Sequence, residues 1–121
     1  MATKPKGTRP VDHEKLLSEC DNEEAFVNKC LHIFARDVQV DVDRIASALD
    51  RNDFSQVARL AHRIKGASAS IRAEFLRQQA AQLEVLSGKK ESVAAWECYA
   101  RLKNEFERFK EFISTLPLLP E

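Results

Sequence analysis

An all-α fold is predicted by three features of this chain. Its interior is nearly free of helix breakers, with three glycines and four prolines in 121 residues, the prolines being Pro5, Pro10, Pro117 and Pro120. Between them, four long stretches repeat apolar residues at three- and four-residue steps, the spacing of one helix face. Short polar turns separate the stretches. That connectivity predicts an antiparallel four-helix bundle with a short additional N-terminal helix. A chain of this length builds one apolar core and not two, so the expected organisation is a flexible leader over 1–10, a helical bundle over 11–116 and a tail over 117–121.

Val11 to Cys20 reads as a short helix with Leu16 and Leu17 inward, one that needs packing to persist. Asp21 or Asn22 then offers an N-cap, and Asp21 with Glu24 has capping-box spacing. The long helix that comes next carries Phe26, Cys30, Phe34, Val38, Val42, Ile45 and Leu49 and runs to about Asp50, before a turn at Arg51-Asn52-Asp53. In the third stretch Val57, Leu60, Ala61, Ile64, Ser68, Ile71 and Phe75 share one stripe at about 100° per residue. A further helix places Leu76, Ala80, Leu83 and Leu86 inward, with Gly88 as its expected C-terminal cap. The last carries Val93, Trp96, Tyr99, Leu102, Phe106, Phe109 and Ile113 until Leu116-Pro117 stops it.

Composition excludes several classes. Nineteen basic and nineteen acidic residues give zero formal charge, so no global basic field exists to concentrate nucleic acid or an anionic membrane. No apolar run approaches the roughly 18 residues of a membrane span, and MATKPKGTRP lacks the apolar segment of a secretory signal. Cys20, Cys30 and Cys98 form no C-x-x-C pair and cannot all pair within one chain, which points to a reducing, cytoplasmic setting. The Glu-x-x-His pattern of carboxylate-bridged metal bundles is absent, and no metal site is expected.

One stretch departs from ordinary helix composition. In Ala61-His62-Arg63-Ile64-Lys65-Gly66-Ala67-Ser68, a glycine sits mid-helix, where it costs about 1 kcal/mol relative to alanine. His62 falls off the apolar stripe, and Lys65 and Gly66, at i+3 and i+4, are its neighbours. The same wheel surrounds it with Ser55, Ala58, Arg59, Ala69 and Ala73, mostly small residues. A histidine so placed stands proud of the surface, and Gly66 removes a side chain where a partner would approach. A neutral imidazole carries a nucleophilic ring nitrogen, and an ammonium one turn away stabilises negative charge arriving there, as on a phosphoryl group. His32 lies off the apolar stripe and reads as a solvated surface histidine, His13 sits in a marginal helix, and neither forms metal-ligand spacing with His62.

The run His62-x-x-Lys65-Gly66-Ala67-Ser68, with Leu60-Ala61 before it and Ala73, Leu76, Leu83 and Glu84 after it, resembles the histidine-containing phosphotransfer (HPt) domain of multistep phosphorelays. The resemblance spans about Val11 to Leu116. It implies that His62 accepts a phosphoryl group from a receiver-domain aspartate and passes it to another receiver. Lys65 would then screen the phosphoryl charge, and Glu84 on the following helix would hold the other imidazole nitrogen. The expected docking face comprises Ala58, Arg59, Arg63, Gly66, Ala69, Arg72 and Ala73. Two positions depart from the family: Ala67 stands where serine is frequent, and Arg72 where glycine is usual, a change that bears on partner choice.

Nothing in the chain resembles a Walker loop or a kinase catalytic set, so ATP-dependent kinase activity of its own is not expected. No acidic cluster lies near His62, so Mg²⁺ is expected to come with the receiver rather than as a cofactor of this domain. Expected partners are receiver domains and a hybrid sensor kinase, with the chain as a monomer. A helical docking module without phosphotransfer is the alternative these residues leave open.

Overall fold

The computed structural model describes residues 9–117, which form five α-helices: α1 His13–Glu19, α2 Glu24–Asp50, α3 Phe54–Ser70, α4 Glu74–Gly88 and α5 Ser92–Ser114. No strand occurs among the described residues. Of the expected leader over 1–10 only Arg9 and Pro10, and of the tail over 117–121 only Pro117, lie within them. The long helices touch in a closed cycle, α2 against α3 and α5, and α4 against α3 and α5, while α1 rests on α2. No helix among the described residues is long and apolar enough to cross a membrane.

The core runs along the middle of that cycle. Val27, Leu31, Val38, Val42, Ile45 and Leu49 of α2 face Val57, Leu60, Ala61 and Ile64 of α3, Leu76, Ala80 and Leu83 of α4, and Leu102, Phe106 and Phe109 of α5. Phe109 meets Phe34 edge-on at 5.0 Å between centroids and stacks beside Phe106 at 6.3 Å. Polar links tie the layers: the Tyr99 hydroxyl donates to the Val42 carbonyl at 3.0 Å, joining α5 to α2.

Several inward residues differ from those expected. Phe26 is 57% exposed and the buried stripe of α2 begins instead at Val27, one residue and about 100° around the helix. On α5, Val93 is 74% and Trp96 37% exposed, because the inward face there runs through Ala95, Cys98 and Tyr99. Phe75 belongs to α4 rather than to the α3 stripe, and is half-buried beneath the Arg108 guanidinium, 5.9 Å from its ring centre. Val11 is fully buried but precedes α1, whose N-cap is Asp12, accepting from the Lys15 backbone N–H.

The helix ends obey a single bonding rule. After α2, α3 and α4 the chain turns through one residue of positive φ, Asn52 at 54°, Arg72 at 62° and Lys90 at 58°. The next N–H then returns to the carbonyl five residues back: Asp53 to Ala48, Ala73 to Ser68 and Glu91 to Leu86. This is the Schellman ending, usually built on glycine. Asp21 and Asn22 likewise have positive φ, which removes both as caps of α2; its N-cap is Glu23, without a side-chain cap bond. Gly88 is the last residue of α4 rather than its cap, since Lys90 takes the left-handed position two residues on.

Truncating Phe106, fully buried where α5 meets the other layers, leaves a cavity that a helix cycle of this kind cannot close. Phe106→Ala is expected to cost about 3–5 kcal/mol in urea unfolding, with the helical circular dichroism at low denaturant retained.

Candidate functional site

The site is built where α3 and α4 run side by side. Leu60, Ala61 and Ile64 anchor α3 in the core, so the intervening His62 must project outward, and its side chain is 65% exposed. Leu83 anchors α4 in the same way and turns its successor, Glu84, toward α3. The Glu84 carboxylate is then shared. One oxygen lies 3.0 Å from His62 Nδ1, and the other accepts from Lys65 Nζ at 2.7 Å.

This geometry fixes the imidazole tautomer. An ionised carboxylate only accepts, so Nδ1 of His62 is the donor and carries the proton. In a neutral ring the lone pair then belongs to Nε2, which has no hydrogen-bond partner among the described residues. The carboxylate is held ionised: the Lys65 hydrogen bond, aided by that of His62, lowers the Glu84 pKa below its ordinary value, against the opposing pull of partial burial.

The surrounding positions divide. Ala58 is half-buried, and Gly66 and Ala69 are exposed along the outer side of α3. A Cβ added at Gly66 would meet nothing within 4 Å, so the internal packing does not require glycine there. Arg59 is exposed and bonds back to Gln56 within α3. Arg63 is drawn away from His62 toward α2, where its Nε lies 3.6 Å from the buried Asp41 carboxylate. Ala73, expected on the docking face, is fully buried at the start of α4 and presents no surface: the Schellman bond to Ser68 folds it into the core.

Arg72 occupies the left-handed turn, the conformation that favours glycine, and its guanidinium forms a two-pronged pair with Glu19 of α1. Its carbonyl also accepts from the Asp12 N–H at 3.0 Å, so backbone and side chain together fasten α1 to the α3–α4 turn. Glu19 and Asp41 are the charged partners that sequence reading missed. Asp41 left a signal, an acid interrupting the apolar stripe between Val38 and Val42; Glu19, 53 residues from Arg72, left none.

The other histidines are structural. His32 is half-buried, with Nε2 3.4 Å from the Leu116 carbonyl, and not the solvated residue its place on the wheel suggested. His13 sets its ring edge-on to Phe112 and lies 3.4 Å from the Asn28 side-chain oxygen. Among the described residues, no group of three or more His, Cys, Asp or Glu is placed to hold a metal ion, and all three cysteines are free.

Gly66→Ala is expected to raise stability by about 0.5–1 kcal/mol in chemical denaturation, since it gains helix propensity and meets no neighbour. Glu84, more acidic in the folded chain than in the unfolded one, stabilises the fold above its unfolded value and loses that contribution as pH falls through its lowered folded value. The stability gap between wild type and Glu84→Gln, measured by urea unfolding across pH, is therefore expected to be open at neutral pH and to close on acidification.

Comparison with known proteins adds the family. No curated protein matches the chain. The crystal structure of a rice protein named for histidine-containing phosphotransfer shares its fold, with a TM-score of 0.76 over 90% of this chain and 82% of that one at 20% identity. The family model for the Hpt domain matches residues 29–112, taking in α3, α4 and the whole of the His62–Glu84–Lys65 cluster. The chain belongs to the Hpt domain family.

Proposed function

We propose that this domain is a phosphorelay intermediate in which Nε2 of His62 takes a phosphoryl group from the aspartate of one receiver domain and gives it to that of another. The observation that carries the assignment is the division of the imidazole: Nδ1–H is bonded to Glu84, and Nε2 is left outward on a side chain two-thirds exposed. A nucleophile so oriented needs no further base on this chain, because its lone pair is already free.

Position sets the remaining roles. Lys65 gives one N–H to Glu84 and keeps two donors; its ammonium, one turn from the imidazole, supports the charge of an incoming phosphoryl group. Ala58, Gly66 and Ala69 leave the outer side of α3 low around His62, which allows a receiver's phosphorylation pocket to close over the ring. Arg59 and Arg72 edge that surface as charged contacts, and Arg63 stands on its α2 side. The reaction itself is positioning and charge stabilisation. Mg²⁺ belongs to the receiver in this reading, as does the aspartate.

The packing cycle and the three-residue connections support the reading of an antiparallel four-helix bundle, with α1 as the addition. His62, Lys65 and Glu84 all come from one chain, so a single copy is the working unit, and the cytoplasm, where receivers and their kinases operate, is its place of action.

The decisive experiment mixes the domain with a panel of kinase-charged receiver domains and Mg²⁺ and follows acid-labile, base-stable label. Label is expected on the wild type and absent from His62→Gln, with unchanged helical circular dichroism. Receiver binding with no label on the wild type across the panel would establish a docking module instead.

A further inference from the structure

Glu84 does more in this geometry than aim a ring, a further role that rests on the assignment of His62 as phosphoacceptor. In the forward step the Nε2 lone pair forms a bond to phosphorus while the bond from phosphorus to the donor aspartate oxygen breaks, the electron pair leaving with the carboxylate. The ring now carries phosphorus on Nε2 and its original proton on Nδ1, and is formally cationic. Its fate depends on that proton. If it stays, the next receiver's carboxylate displaces a neutral imidazole, the N–P electron pair returning to Nε2. If it is lost, the leaving group is an imidazolate, and transfer slows greatly.

We infer that Glu84 is a positioning residue whose carboxylate retains the Nδ1 proton of phosphorylated His62 and so keeps the phosphoryl group in a transferable state at neutral and mildly alkaline pH. Three observations carry it. The Glu84 oxygen stands 3.0 Å from Nδ1, on the side of the ring away from the phosphoryl position. The side chain is only 30% exposed, so water screens the pair incompletely. Lys65 occupies the other oxygen at 2.7 Å, which fixes the carboxylate in place and keeps it charged.

The other charges nearby leave this pair dominant. From α3, Lys65 and His62 act directly on Glu84. Arg59 is turned to Gln56, Arg63 to Asp41 of α2, and on α4 itself Arg77 is bonded to Glu74. The cation formed on the ring is thus opposed by one fixed anion, and the cation already bound to that anion lies on its far oxygen.

The test charges the domain with phosphoramidate, a small phosphodonor that requires no partner, and measures loss of phosphate and transfer to a receiver domain across pH in wild type and Glu84→Gln. Glutamine keeps the size and a hydrogen-bonding oxygen but removes the charge. The two proteins are expected to match in mild acid, where solvent protonates Nδ1 in both, and Glu84→Gln to be about tenfold slower near pH 8, its profile displaced by about one pH unit. A purely structural role would lower the rates equally at every pH. Independently of any variant, ¹⁵N NMR of the phosphorylated wild type is expected to show Nδ1 protonated at neutral pH. Superimposable profiles, or a deprotonated Nδ1 in the wild type, would overturn the role of Glu84 while leaving His62 as acceptor. Failure to label His62 at all would instead remove the assignment on which it rests.

Discussion

The bridge from α4 to α3 through the Glu84 carboxylate is the interaction on which the rest of the site depends. It exists because Leu83 on one helix and Leu60, Ala61 and Ile64 on the other are all drawn into the core, which leaves Glu84, His62 and Lys65 on the rim between them. None of the three is positioned by a loop. Their relative placement is set by helix packing, the stiffest means a small protein has for holding side chains in register. A His62 side chain two-thirds exposed is in this way oriented by a hydrogen bond from the neighbouring helix.

The same packing separates attractive charge from accessible surface. Arg63 is tied toward Asp41 on α2, and Arg72 toward Glu19 on α1, so two cations of the expected docking face have partners on other helices. What remains next to the imidazole is Lys65, itself shared with Glu84, among alanine and glycine. A surface both low and selectively charged results from long-range pairing, which a single helix taken alone does not disclose.

Much of this was legible in the chain. The periodicity of α3 identified Leu60, Ala61 and Ile64 as inward and His62 as outward, and the unusual glycine marked the exposed face, because both signals are local to one helix. Glu84 came through the family resemblance, because the α4 pattern alone does not say which neighbouring helix its carboxylate meets. What escaped reading depended on neighbours. Phe26, Val93 and Trp96 fit an apolar period yet stay exposed near helix starts, while the buried faces run through Val27 on α2 and Ala95, Cys98 and Tyr99 on α5. Ala73 looked like surface on an extended α3, but the chain turns at Arg72 and carries it inside. The half-buried state of His32 depends on Leu116, 84 residues away.

The helix endings bear on how far such a sequence can drift. Four connections among the described residues reach positive φ with Asp21, Asn22, Asn52, Arg72 and Lys90, and none with glycine; all four close with the same carbonyl bond five residues back, Asn22 to Leu17 after α1 included. The turns are therefore specified by backbone bonding and by the burial of flanking residues such as Ala73 and Leu49, with side-chain identity at the left-handed position a minor energetic matter of about 1 kcal/mol. A fold punctuated in this way tolerates replacement of nearly every surface letter. The rice protein has this common architecture at 20% identity, a divergence that turns specified by backbone bonding allow.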